Sequence, residues 1–80
     1  MPKNPQQASR LVEMLVRSLV DDQDSVSVVT KEESSGIVIE VTVAQEETGK
    51  VIGRQGKIIK AIRTLARATT DDSVEVEVLG

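Results

Sequence analysis

Two stretches of strict alternation restrict this chain more than any other feature. In 37–43, Ile37, Ile39, Val41 and Val43 alternate with Val38, Glu40 and Thr42; in 74–78, Val74, Val76 and Val78 alternate with Glu75 and Glu77. A period of two reads as a strand with one face buried. Residues 46–52 and 57–69 lie between them and read as helical, so the two strands cannot form a hairpin. If they are neighbours they must run parallel, joined by a crossover.

The remaining segments complete that frame. In 6–20, Ala8, Leu11, Val12, Leu15, Val16 and Leu19 recur at helical spacing, and Asp21-Asp22-Gln23-Asp24 ends the helix. Residues 25–31 are valine-rich and read as a strand, and 32–36 as the turn of an antiparallel hairpin with 37–43. The expected order is α-β-β-α-α-β: an α+β fold with a three-stranded mixed sheet and three helices on one face. Residues 1–5 read as a disordered lead, and 6–80 as a single domain.

Composition excludes several functions. The chain has no cysteine, so no disulfide or thiolate zinc site is expected, and no histidine, the commonest general base. No Ser, Asp or Glu has a partner suited to nucleophilic or metal chemistry, so neither a cofactor nor an enzyme activity is expected. Phe, Tyr and Trp are absent, which removes readers that stack bases on aromatic rings. Met1 is followed by polar residues, and no apolar run approaches the roughly 20 residues needed to span a bilayer.

The net charge of −3 argues against a nucleic-acid partner until its distribution is considered. Residues 21–47 carry eight acids and only Lys31, whereas 48–70 carry Lys50, Arg54, Lys57, Lys60, Arg63 and Arg67 and no acid. Screening acts over about 8–10 Å, so a bound phosphate experiences the local cation and not the sum. In 57–69, Lys57, Lys60, Arg63 and Arg67 fall on an arc roughly opposite the apolar one. The bland alternative is a solvated basic helix face.

The acid-free segment contains Gly49-Lys50-Val51-Ile52-Gly53-Arg54-Gln55-Gly56-Lys57-Ile58-Ile59-Lys60. A bare G-x-x-G is common; one set between a short and a longer helix among cations is not. Gly53 and Gly56 lack a Cβ, so a sugar-phosphate backbone can approach closely. The following helix presents its positive end there. Arg54, Gln55 and Lys57 would complete a phosphate clamp, with Lys50 one turn before it and Lys60 one turn after. Ile52 is a candidate wall of an apolar groove for bases; Val51 and Ile59 suit plain core packing better. A ligand-free helix–helix turn is the alternative for the glycines. Walker A and dinucleotide motifs both fail, because each needs glycine where Val51 stands.

The order βααβ with Val51-Ile52-Gly53-x-x-Gly56 between the helices resembles the KH domain, and the full order resembles its type II arrangement. The run Gly49–Leu65 and the length are similar to the KhpA family of small bacterial single-KH proteins. The resemblance implies a cytoplasmic protein that binds single-stranded RNA as an RNA chaperone or post-transcriptional regulator. It also implies pairing with itself or with a larger KhpB-like (Jag) KH protein, and in some bacteria a link to cell elongation, division and shape. Ala61, Thr64, Leu65 and Ala68 lie on one flank of the helix 57–69 and are the candidate dimer surface. The competing reading is a protein-interaction module that does not bind RNA directly.

Overall fold

Helix α1 (Pro5–Leu19) leads into strands β1 (Ser27–Glu33) and β2 (Gly36–Thr42), then helices α2 (Thr48–Ile52) and α3 (Lys57–Arg67) and strand β3 (Val74–Leu79). These elements come from a computed structural model that describes residues 5–79. The sheet order is β1-β2-β3, antiparallel between β1 and β2 and parallel between β2 and β3. This is the α-β-β-α-α-β order expected from the sequence pattern, an α+β fold with the helices on one face of a mixed sheet, and the arrangement that the resemblance to a type II KH domain implies. The expected lead, residues 1–5, lies outside the described residues apart from Pro5, the first residue of α1.

The alternation becomes the two faces of the sheet. Ile37, Ile39 and Val41 stand opposite Val74, Val76 and Val78 in register, all on the helix side. Ala8, Val12 and Val16 of α1, Val51 of α2, and Ile62 and Ala66 of α3 meet them in one continuous core. With no aromatic residue available, the interior is filled by short aliphatic side chains. Ile39 is completely buried, and burial of such a side chain contributes about 1.5–3 kcal/mol. On the opposite face, Thr42, Glu75 and Glu77 are exposed and Glu40 is half-buried. There Lys31 pairs with Glu40 at 3.3 Å.

Element ends differ from the expectation for local reasons. The residues after α1 form a 3-10 turn, Gln23–Ser25, so β1 begins at Ser27 instead of 25. Lys31, Glu32 and Glu33, read partly as turn, belong to β1 and pair with Val38, Ile37 and Gly36. An edge strand tolerates such charges because one side of it stays in water. Helix α3 stops at Arg67, short of residue 69, where the amides of Ala68 and Thr69 bond back three residues to Leu65 and Ala66 at 3.1 Å each.

Candidate nucleic-acid interface

The turn between α2 and α3 is built from unusual backbone. Gly53 has φ 77° and ψ 172°, a region almost restricted to glycine, and a Cβ there would stand 2.6 Å from Ile58 Cγ1. Gln55 (φ 58°, ψ 23°) and Gly56 (φ 73°, ψ 17°) are both left-handed. The Gly53 amide closes α2 on the Gly49 carbonyl at 2.8 Å, and the Gly56 amide returns to the Gly53 carbonyl at 3.1 Å. Gly56 occupies the cap position of α3, and no side chain caps that end. The first amides of a helix lack intrahelical acceptors, so an uncapped end is a local positive pole.

The charges around this turn divide into engaged and free. Among the described residues, Arg10, Arg54, Lys57 and Lys60 are the cations with neither a hydrogen bond nor an ion pair. Three of those four stand at the loop or on the first turn of α3, and all three are exposed. Lys50, expected near the phosphate, is engaged elsewhere: its Nζ lies 2.9 Å from Asp21 and 3.1 Å from Glu47. Those bonds, Asp21 first, raise the Lys50 pKa above the ordinary lysine value.

Glu47 is not among the residues that the sequence marks for the site. It is buried, and its carboxylate accepts the amides of Asp21 at 2.6 Å and Asp22 at 2.8 Å. These two bonds, with Lys50 adding to them, hold its pKa below the usual carboxylate range against the opposing effect of burial. Glu47 thus ties the end of α1 to the start of α2, the helix that carries the loop. Its spacing to Lys50 was readable; its partners at 21 and 22 arrive only through the tertiary fold. Glu75 is the other omission. Arg63 Nε lies 2.7 Å and Arg67 Nη2 4.0 Å from its carboxylate. The same two arginines donate to β3 carbonyls, Arg63 to Val76 at 3.3 Å and Arg67 to Val74 at 3.0 Å. They cover the open edge of β3, which would otherwise expose unpaired backbone groups.

The apolar candidates separate clearly. Ile52, the last residue of α2, is 39% exposed beside the loop, whereas Val51 is fully buried and Ile59 packs partly buried against the core. Ala61, Thr64, Leu65 and Ala68 are all exposed, and Ala61 and Leu65 border a shallow apolar groove with Leu15, Leu19, Ile58 and Ile62.

A mixed sheet backed by three helices, with a two-glycine turn between the last two, defines the class: a type II KH domain. The family model described as "KhpA/KhpB, KH domain" matches residues 9–78. The chain is 42% identical over 72 residues to the RNA-binding protein KhpA of Borreliella burgdorferi, covering 86% of this chain and 88% of that one. It is 46% identical over 74 residues to the protein of that name from Clostridium perfringens, covering 86% and 96%. With that from Clostridium acetobutylicum it shares 52% identity over 61 residues, covering 74% and 79%. The chain belongs to the KhpA/KhpB KH-domain family.

Proposed function

We propose that this protein binds single-stranded RNA at the turn 53–56 and acts as a binding module, not as an enzyme. The relatives named as RNA-binding proteins support RNA as the partner. The observation that carries the site is the collection of Arg54, Lys57 and Lys60, without protein partners, around an uncapped helix end. Gly53 and Gly56 let a phosphate backbone approach, Arg54 and Lys57 neutralise it, Lys60 extends the charge, Gln55 contributes an amide, and Ile52 offers an apolar surface to a base. Lys50 acts here as a strut holding α2. A KH loop clamps about four nucleotides, so affinity per domain is on the order of micromolar or weaker.

Titration of labelled single-stranded and duplex RNA tests the reading. Tighter binding of the single strand is expected; equal or tighter duplex binding refutes it. Arg54→Asp with Gln55→Asp abolishes binding, because two carboxylates then face the phosphates. Aspartate tolerates the left-handed backbone at 55, and both positions are exposed, so stability changes by no more than about 0.5–1 kcal/mol. Wild-type affinity in the folded double variant would remove the loop from the site.

The exposed flank Ala61-Thr64-Leu65-Ala68 supports a second element of the proposal, self-association through α3. Small side chains let a second helix approach, and the Thr64 hydroxyl already donates to the Lys60 carbonyl at 2.9 Å. A two-fold pair would place two weak clamps on one RNA and raise the effective concentration of the second. A KhpB-like KH protein is the alternative occupant of this flank. Sedimentation equilibrium tests self-association: a chain that stays monomeric at high micromolar concentration excludes it, and a dimer unperturbed by Ala68→Glu excludes this surface. A cytoplasmic role in RNA regulation, linked in the family to elongation and division, belongs to the same proposal.

A further inference from the structure

Lys57, Lys60, Arg63 and Arg67 occupy successive turns of one face of α3, a ridge roughly 15 Å long at 1.5 Å per residue. The ridge is uniform in sequence but not in state. Its loop-proximal half, Lys57 and Lys60, is without partners, while its distal half, Arg63 and Arg67, shares the Glu75 carboxylate. Glu75 on the edge strand and Arg67 are each about half exposed, so an incoming anion can reach their pair, while Arg63 is more covered and its Nε is buried against Glu75. On the other side of the loop, Asp21 and Glu47 already neutralise Lys50. The free positive charge is therefore bounded at both ends: by a buried, backbone-anchored carboxylate at the α2 end, and by a single exposed one at the β3 end.

We infer that Glu75 limits the length of RNA held by the domain, by withholding Arg63 and Arg67 from phosphates that would lie beyond the four-nucleotide clamp. The inference rests on the RNA-binding reading above and concerns the extent of the same site. Both arginines are already positioned by the Val74 and Val76 carbonyls, so removing the carboxylate charge leaves them in place and unneutralised.

Salt dependence reads this directly. Each phosphate neutralised on a single strand contributes about −0.7 to the slope of log affinity against log salt. Glu75→Gln should steepen the slope by about 0.7–1.4, one or two further phosphates, with a ten-nucleotide oligouridylate, and leave it unchanged with a four-nucleotide one. Glu77→Gln, two residues along the same strand, makes the same change in net charge without touching an arginine and should leave both slopes as in the wild type. Equal slopes for Glu75→Gln and Glu77→Gln on the longer RNA would overturn the inference while leaving the loop as the binding site. Absence of binding to either RNA by the wild type and by Glu75→Gln at low salt would overturn the RNA-binding reading as well. Thermal unfolding of each variant checks that the fold is retained.

Discussion

The glycines around the turn sit in different environments. Gly53 combines a positive φ with a Cβ position 2.6 Å from Ile58, so Gly53→Ala must move either the loop or the first turn of α3. A cost of about 1–3 kcal/mol is expected, together with loss of RNA binding. At Gly56 the Cβ would meet nothing closer than 3.9 Å, so Gly56→Ala suffers only the left-handed backbone, about 1–2 kcal/mol. Gly49 lies within α2 with open space around it. Gly49→Ala should stabilise the protein by about 0.4–1 kcal/mol. Urea unfolding of the three variants gives the order Gly49→Ala above wild type, and Gly56→Ala and Gly53→Ala below it. A neutral Gly53→Ala would show that the Ile58 contact yields easily.

Helix α2 has only five residues, Thr48–Ile52, too few to hold its shape unaided. The Glu47 carboxylate, bonded to the Asp21 and Asp22 amides and to Lys50, anchors it to the end of α1. Because folding lowers the Glu47 pKa, its contribution is present above the ordinary carboxylate range and lost as pH falls through the lowered value. Lys50 behaves oppositely: its pKa is raised, so its contribution is complete below the ordinary lysine value and disappears as pH rises through the raised one. Glu47→Gln should lower the urea midpoint at neutral pH and flatten its decline in acid, measured from pH 2 to 7. A variant with the wild-type acid limb would show that Glu47 is not the responsible group. At this scale the sequence was informative wherever a period recorded burial: Ile37 to Val41, Val74 to Val78, and the four-residue steps Ala8-Val12-Val16. It was silent on polar pairing, since the Glu47 carboxylate meets the Asp21 amide and Arg63 meets Glu75 only after the fold assembles. The same basic arc that marks Lys57 and Lys60 also includes Arg63 and Arg67, and nothing in the spacing shows that the latter two are occupied.

Across the whole molecule, charge is segregated. Glu40, Glu75 and Glu77 lie on the outer face of the sheet, while the unpaired Arg54, Lys57 and Lys60 stand on the helix side. Binding should therefore weaken with salt despite the net charge of −3, with a slope near −2 if about three phosphates are neutralised. A slope of zero would mean that the cations do not meet phosphate. The core behind them has no large residue to absorb a deletion. Ile39→Ala, at a fully buried position on the central strand, should cost about 2–5 kcal/mol. That is a large share of the roughly 4–12 kcal/mol expected at this length, and urea unfolding should show it at once.

The parallel pairing of β2 with β3 also has a consequence in time. The hairpin of β1 and β2 closes through a two-residue turn, Ser34-Ser35, whereas β3 can dock only after residues 43–73 have been folded back across the sheet. Hairpins form in about 1–10 μs, and the more distant closure is the slower event. The turn proposed to contact RNA lies inside that closing segment, and Ile58, which shapes it, packs against the same core that β3 completes. No early hairpin species can hold the turn in place, so competence to bind should arise with the final docking step. In stopped-flow refolding, the recovery of binding to a fluorescent oligonucleotide should follow the same single exponential as the recovery of far-ultraviolet circular dichroism. A binding phase that precedes it would mean that α2, the turn and α3 assemble on their own.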